Sequence, residues 1–158
     1  MAVRSSSSPL ARDVIAAARA WVGTPYRHAS SRRGVGCDCL GLVRGVWEDV
    51  SGVTPPLPEP YSPDWAELRD DEPLLGAARR HLVPAEPVPG AVLVFRWSPH
   101  AAAKHCGVLV GHDRLVHAYS GVGTVESALV PAWRRRIVGA FAFPGMFPGT
   151  GTANDRSV

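Results

Sequence analysis

Apolar positions along this chain repeat at two spacings, which divide it into a helical first half and a strand-rich second half. A stripe at helical spacing predicts a first helix from about Ala11 to Val22, with Val14, Ile15, Ala18 and Trp21 on one face. A second stripe predicts a helix that begins near Cys39 and ends at Gly52; it contains Leu42, Val43, Val46, Trp47 and Val50. A third, shorter helix is predicted from about Trp65 to Arg80.

The second half reads as five short β-prone runs, predicted over residues 91–97, 105–110, 115–119, 124–127 and 137–143. Helices followed by strands indicate an α+β fold, with an antiparallel sheet packed against the Cys39 helix. A chain of 158 residues suits one domain, predicted over residues 11–147, between a flexible N-terminus (1–10) and a flexible tail (148–158). The proline-rich run 54–60 is incompatible with a helix or a central strand, so a loop is expected there.

The start of the second predicted helix carries the most informative chemistry. Cys39 follows a glycine-rich loop, and Asp38 is placed to cap the first turn. Unpaired backbone N–H groups and the positive end of the helix dipole stabilise a thiolate at such a position, and the same N–H groups can hold an oxyanion. A reactive thiol at Cys39 is therefore the leading hypothesis.

A thiolate nucleophile needs a base, and two histidines on a predicted hairpin could supply one. His105 opens one strand and His117 lies in the next, with a turn-like segment at residues 111–114 between them. Because strand side chains alternate, the two imidazoles share a face only if the connection has an odd number of residues or contains a bulge. A three-residue loop would bring them into hydrogen-bond reach, whereas a two-residue loop at His112 and Asp113 would separate them.

Taken together, these motifs resemble the NlpC/P60 cysteine peptidases, and specifically the phage-type cell-wall peptidases that include those of gene transfer agents. Four segments carry the resemblance, and it continues more weakly over residues 133–141; the four are Trp21–His28, Gly36–Val43, His105–Gly111 and Leu115–Ala118. The resemblance implies a papain-like fold in which N-terminal helices, including the nucleophile helix, pack on a C-terminal antiparallel sheet.

The resemblance also implies a role for each matched residue. Cys39 would be the nucleophile, His105 its general base and then acid, and His117 the group that orients His105. Tyr26 would approach the cysteine and stabilise an oxyanion, and Asp38 would help to bind substrate. The implied activity is a thiol protease that degrades cell wall by cleaving peptidoglycan stem peptides, with the bond between D-glutamate and a diamino acid as the first expectation. Leu40 stands where many members of the family have serine, which bears on specificity more than on reaction class. Ala91 stands where the family has aspartate, which bears on local turn structure rather than on the chemistry.

Three alternatives were weighed against this reading. A metal site built from Cys37, Cys39, His105, Cys106 and His117 is disfavoured, because Cys37 and Cys39 are too close for tetrahedral chelation and His105 and Cys106 point to opposite strand faces. We predict no metal and no cofactor. A thiol acyltransferase or amidase would use the same three residues. A structural tail component that binds cell wall, with weak or no activity, would also fit the resemblance.

Charge and termini bear on partners and location. The net charge of +3 is modest, and no basic and aromatic interleaving suggests nucleic-acid binding. The Arg134–Arg136 run is expected at a solvated strand end. Residues 1–9 lack the apolar stretch of a secretory signal, and no segment is long enough to span a bilayer. We therefore expect synthesis in the cytoplasm and delivery to the cell wall in a phage-like particle, whose tail proteins would be partners.

Overall fold

The computed structural model of the chain describes residues 9–53, 55 and 72–146. Helices in these ranges are α1 (Ala11–Ala20), α2 (Cys39–Ser51), α3 (Pro73–His81) and α4 (Pro131–Arg134). Strands are β1 (Ser31–Arg32), β2 (Gly36–Cys37), β3 (Val83–Pro84), β4 (Val92–Phe95), β5 (His105–Gly111), β6 (Arg114–Tyr119), β7 (Gly123–Ala128) and β8 (Ile137–Ala142). The main sheet has the order β3-β8-β4-β5-β6-β7, and each neighbouring pair is antiparallel. The predicted α+β fold is confirmed.

Apolar side chains cover both faces of the main sheet, in two separate clusters. The helix-face cluster includes Val108 and Val116 from the strands and packs them against Leu42 and Val46 of α2. The opposite-face cluster consists of Ala91, Leu93, Phe95, Leu109, Leu115 and Leu129, with Trp133 packed against it. Because both faces are buried, the central strands are nearly continuous apolar runs rather than alternating ones.

Helices α1 and α2 pack closely where a glycine meets a tryptophan. A Cβ on Gly45 would lie 2.0 Å from the ring of Trp21, so only glycine fits at this crossing. The Trp21 indole N–H also donates to Asp49 at 2.8 Å. The predicted first helix is present and ends two residues earlier than expected, at Ala20. The second ends as predicted, with Gly52 in the left-handed conformation.

Several predicted boundaries change in the structure. The third helix begins at Pro73 rather than Trp65, and residues 65–71 lie outside the described residues. The predicted flexible N-terminus (1–10), loop (54–60) and tail (148–158) lie outside them too, except for residues 9, 10 and 55. Helix α4 was not predicted. Arg134 was expected at a strand end but is the last residue of this helix, because Pro131 favours the first turn of a helix. None of the described helices is long and apolar enough to cross a membrane.

Candidate active site

The first turn of α2 is built around the buried carboxylate of Asp38. Its Oδ1 accepts from the Gly41 backbone N–H at 2.7 Å, and its Oδ2 accepts from the Ala29 N–H at 2.8 Å. Asp38 is only 2 % exposed, and His28 Nδ1 lies 3.8 Å from Oδ2. The predicted helix cap is therefore confirmed, and the same carboxylate ties the preceding loop to the helix.

This cap presents Cys39 as the first residue of α2, where the helix leaves N–H groups without helical acceptors. The side chain is half-buried, and its Sγ lies 3.9 Å from the carbonyl oxygen of Lys104, the residue just before β5. The sulfur thus lies at the end of the sheet where β5 begins. Helix polarity and this position together suit a thiolate.

A β-bulge decides whether the two histidines meet. The β5–β6 turn has two residues, His112 and Asp113, because Gly111 pairs with Arg114. Turn length alone would have placed the imidazoles on opposite faces. A bulge shifts the register between Leu109 and Gly111, however, so that Leu109 pairs with Leu115. The side chains of His105 and His117 therefore lie on the same face of the sheet. Of the two arrangements that would put both histidines on one face, the structure has the bulge and not the three-residue loop.

The imidazoles of His105 and His117 are in direct contact as a result. His105 Nε2 lies 3.0 Å from His117 Nδ1, and His117 Nε2 lies 2.8 Å from Ser127 Oγ on β7. A Cβ on Gly107 would approach His117 Cβ to 3.0 Å, so glycine on β5 leaves room for the second histidine. The two rings and the Ser127 hydroxyl form a continuous polar chain within the sheet.

Aromatic rings enclose the histidine pair and limit its access to water. Trp97 stacks on His105 with centroids 5.3 Å apart, and Tyr119 stacks on His117 at 4.9 Å. Trp133 contacts both imidazoles edge-on. Burial, followed by the nearby charge of His105, lowers the pKa of His117 to about 4, so this ring is neutral at physiological pH.

The sulfur of Cys39 receives stabilisation from two neighbouring residues of β5. The pKa of Cys39 is lowered well below its usual range, first by a hydrogen bond from the Cys106 thiol and then by the hydrogen bond and charge of His105, against the opposing effect of burial. The pKa of Cys106 is raised because its proton is held in that bond and its sulfur is buried. Cys106 belongs to the helix-face cluster, whereas His105 contacts rings of the opposite face. Both reach Cys39 because it lies at the end of the sheet.

Tyr26 lies beside the start of α2, as the sequence analysis anticipated. It forms an isolated parallel bridge with Cys37 and is half-buried against the helix-face cluster. Burial raises its pKa, and the negative charges of Cys39 and Asp38 add to the rise. The phenol therefore keeps its proton and remains a hydrogen-bond donor near the thiolate.

The other possible use of the cysteines is metal binding. Cys37 is a free thiol whose Sγ lies 3.1 Å from the Thr124 hydroxyl. Within the part of the chain that the structure describes, no three His, Cys, Asp or Glu side chains form a group that could hold a metal ion.

The geometry is that of a cysteine nucleophile with a histidine base and a second, orienting histidine. The sequence model of the NlpC/P60 family matches residues 23–142, which span α2 and all three residues of this arrangement. The chain belongs to the NlpC/P60 family. The match covers well over half of the chain.

The chain is also similar to individual proteins and solved structures. The chain is 25% identical over 146 residues to the gamma-DL-glutamyl hydrolase of Bacillus subtilis strain 168, covering 90% of this chain and 32% of that protein. Its fold matches an NlpC/P60 family protein from Bacillus cereus ATCC 10987 with a TM-score of 0.64 at 21% identity, covering 87% of this chain and 41% of that one. The NlpC/p60 domain of the peptidoglycan hydrolase SagA matches with a TM-score of 0.56 at 19% identity, over 84% of this chain and 98% of that domain. This chain therefore spans about a third of the curated relative's length.

The structure brings together all five residues singled out from the sequence, and adds others that were missed. Ser127 and the aromatic residues Trp97, Tyr119 and Trp133 were given no role, and the role of Cys106 was left open. Alternation along β7 could have pointed to Ser127, because it is a polar residue on the same face as His117. The contact between Cys106 and Cys39 had no comparable local signal.

Proposed function

We propose that this chain is a peptidoglycan hydrolase, a cysteine peptidase that cleaves stem peptides. The observation that carries the proposal is the contact series from Cys39 to His105, His117 and Ser127 at the first turn of α2. Membership of the NlpC/P60 family supports it, as do the names of a gamma-DL-glutamyl hydrolase and a peptidoglycan hydrolase among its relatives.

In the acylation step, the Cys39 thiolate attacks the scissile carbonyl carbon and forms a C–S bond. The carbonyl oxygen gains negative charge, and the donors that we propose for it are the first-turn N–H groups of α2 and the Tyr26 hydroxyl, which keeps its proton beside Cys39. Protonated His105 donates its proton to the leaving amine as the C–N bond breaks. The result is a thioester on Cys39 and a free amine.

In the deacylation step, neutral His105 removes a proton from water, and the resulting hydroxide attacks the thioester. The C–S bond breaks, the carboxylic acid product leaves, and the thiolate and imidazolium return. His117 accepts a hydrogen bond from His105 through its Nδ1 and so stabilises the protonated base. Its neutral state suits this role, since a protonated His117 would repel the imidazolium.

The scissile bond that we propose is the γ-linkage between D-glutamate and a diamino acid. The name of the Bacillus subtilis relative supports a γ-glutamyl bond. Asp38 is the proposed partner for a substrate amine, although its two oxygens already accept backbone N–H groups. Binding through this carboxylate would therefore add to the helix cap rather than replace it.

The deciding experiment incubates purified wild-type protein, Cys39→Ala and His105→Ala with peptidoglycan and identifies released fragments by mass spectrometry. Wild type alone should release stem-peptide fragments. Two synthetic peptides that differ only in an α- or γ-linked glutamate then identify the bond. Equal release by Cys39→Ala would refute the cysteine mechanism. An inactive wild type that still sediments with cell wall would favour a binding component of a tail, and transfer to an added amine would favour an acyltransferase.

We further propose that the protein is made in the cytoplasm and acts on the cell wall as part of a phage-like or gene transfer agent particle. The support is the resemblance of residues 21–28, 36–43, 105–111 and 115–118 to peptidases of that type. Mass spectrometry of purified particles from the producing cells is the test. Absence of the protein from intact particles, together with its presence in the surrounding medium, would contradict this proposal.

A further inference from the structure

The second histidine has hydrogen-bond partners at both ring nitrogens. His117 Nδ1 lies 3.0 Å from His105 Nε2, and its Nε2 lies 2.8 Å from Ser127 Oγ. On β7, Val125 pairs directly with His117 and Ser127 pairs with Leu115, so the serine is the diagonal neighbour of the imidazole on the same face. His117 is 1 % exposed and Ser127 is half-buried, so water competes little for either contact.

These two contacts constrain where the protons lie. A neutral imidazole carries one N–H, on either Nδ1 or Nε2. When His105 is protonated, its Nε2–H points at His117 Nδ1, which must then be the unprotonated nitrogen. The single proton of His117 is consequently on Nε2, where it needs an acceptor, and the oxygen of Ser127 is the one within reach.

We propose that Ser127 is a positioning residue of the active site, whose hydroxyl oxygen accepts from His117 Nε2–H and thereby fixes the tautomer that receives the proton of His105. This inference rests on the proposed hydrolase function. The serine touches neither substrate nor thiol; it acts through His117 and stabilises the thiolate–imidazolium pair of Cys39 and His105. The hydrogen-bonded series thus has four residues: the nucleophile, the base, the orienting histidine and Ser127.

Loss of this acceptor changes the pH dependence in a defined direction. Without it, His117 populates the other tautomer, whose Nδ1–H opposes the proton on His105. The imidazolium is then less stable and loses its proton at lower pH. The basic limb of the pH profile of kcat/KM should therefore move to lower pH. The thiolate of Cys39 loses part of its counter-charge, so the acidic limb of the same profile should move to higher pH. Titratable groups around the pair are Cys39 from α2, Cys106 from β5, Tyr119 from β6, and Tyr26 and Asp38 before α2.

The first test needs no substrate. Nitrogen-15 NMR of histidine-labelled protein distinguishes Nε2–H from Nδ1–H in a neutral imidazole. Wild type should show His117 in the Nε2–H form, Ser127→Ala should show a mixture, and Ser127→Thr, which keeps the hydroxyl, should match wild type. Wild-type His117 protonated on Nδ1 while Cys39 is a thiolate would overturn the proposal, since the serine would then be a donor.

The second test measures kcat and KM against pH for the same variants. Ser127→Ala should lower kcat about threefold to tenfold, the range of one hydrogen bond, with little change in KM and a narrower pH profile. Ser51→Ala serves as the matched control, because Ser51 is exposed at the far end of α2. A fall in kcat that merely follows a loss of folded protein, with unchanged pH limits, would show a purely structural role.

Failure of the two proposals can be told apart. A wild type that does not cleave peptidoglycan would refute the hydrolase function. The NMR tautomer and the pH dependence of Cys39 alkylation by iodoacetamide would still decide the role of Ser127. Alkylation of Ser127→Ala at acidic pH should be slower than that of wild type, and Ser127→Thr should restore it.

Discussion

Replacing Cys106 with alanine tests how the thiolate is held, because the Cys106 thiol is the first of the effects that lower the pKa of Cys39. Cys106 is 2 % exposed and packs within the helix-face cluster, so its donor has no alternative partner in water. Alanine removes that donor with a small loss of volume. The pKa of Cys39 should then rise, and a smaller fraction of the protein should carry a thiolate at acidic pH.

The magnitude follows from the energy of the bond. A hydrogen bond to a charged group contributes about 1.5–3 kcal/mol, and a thiol is a weak donor, so we take about 1.5 kcal/mol. That energy corresponds to an approximately tenfold smaller thiolate fraction on the acidic limb. A more basic thiolate is also a better nucleophile, with a Brønsted coefficient of about 0.4–0.5. Each Cys39 thiolate in the variant should therefore react about threefold faster than in wild type.

The assay is the rate of thiol–disulfide exchange between Cys39 and a small disulfide reagent as a function of pH, with mass spectrometry to locate the modified residue. Cys106→Ala should react about threefold to fourfold more slowly than wild type at acidic pH and about threefold faster on the alkaline plateau. The two profiles should therefore cross. The fold of the variant is checked by circular dichroism, because an unfolded chain, whose thiol would have its ordinary pKa, would also react more slowly than wild type at acidic pH.

Two variants serve as controls. Cys106→Ser keeps a hydrogen-bond donor, so its profile should not shift in the direction of Cys106→Ala. Cys37→Ala removes another buried thiol, whose sulfur contacts Thr124, and should leave the profile unchanged. Superimposable profiles for wild type and Cys106→Ala would refute the reasoning, since they would mean that the two sulfurs do not interact in solution.

Three other predictions concern the scaffold of the site. Asp38→Ala removes the acceptor of two backbone amides and should lower the free energy of unfolding by about 2 kcal/mol, measured by denaturant titration. Gly107→Ala places a Cβ 3.0 Å from His117 and should reduce kcat, whereas Gly76→Ala, with open space around it, should stabilise α3 by up to about 1 kcal/mol. The pKa of His117 is about 4 in the folded protein and about 6.5 in the unfolded chain. The free energy of unfolding should therefore be highest above about pH 6.5 and fall by about 3 kcal/mol as the pH drops to 4. His117→Asn should make the free energy of unfolding depend less on pH over this range.

The start of α2 could be predicted because its signals are local. The cap, the glycine-rich loop and the apolar stripe all lie within a short stretch, so Asp38 and Cys39 take the expected places. Local hydrogen bonding decides such a helix start before any long-range packing does. The five strands β4 to β8 could be predicted for a similar reason, since they are continuous β-prone runs. The two-residue strands β1, β2 and β3 have no such run and were not predicted.

The register of the hairpin could not be predicted from turn length. A two-residue turn and a bulge at residue 110 together place His117 on the same face as His105. Val110 lies within an apolar run and has no glycine or polar signal of a bulge. Packing selects the register, because it places Leu109 and Leu115 in the opposite-face cluster and Val108 and Val116 against the helices.

The wider site depends on contacts between distant elements. Strand alternation correctly places His105 and Cys106 on opposite faces, yet both interact with Cys39. That meeting requires the first turn of α2 to lie at the end of the sheet where β5 begins, which no local pattern specifies. Ser127 likewise gains its role only after β6 and β7 are aligned.

The division of the site between two apolar clusters has a consequence for when this enzyme can act. Cys39 comes with the helical layer, whereas the rings of His105 and His117 are held among side chains on the far side of the sheet. A chain in which the sheet has formed but α2 has not docked has both parts and no active site. The nucleophile and its base thus meet only when the two layers have joined, so assembly of the site depends on completion of folding.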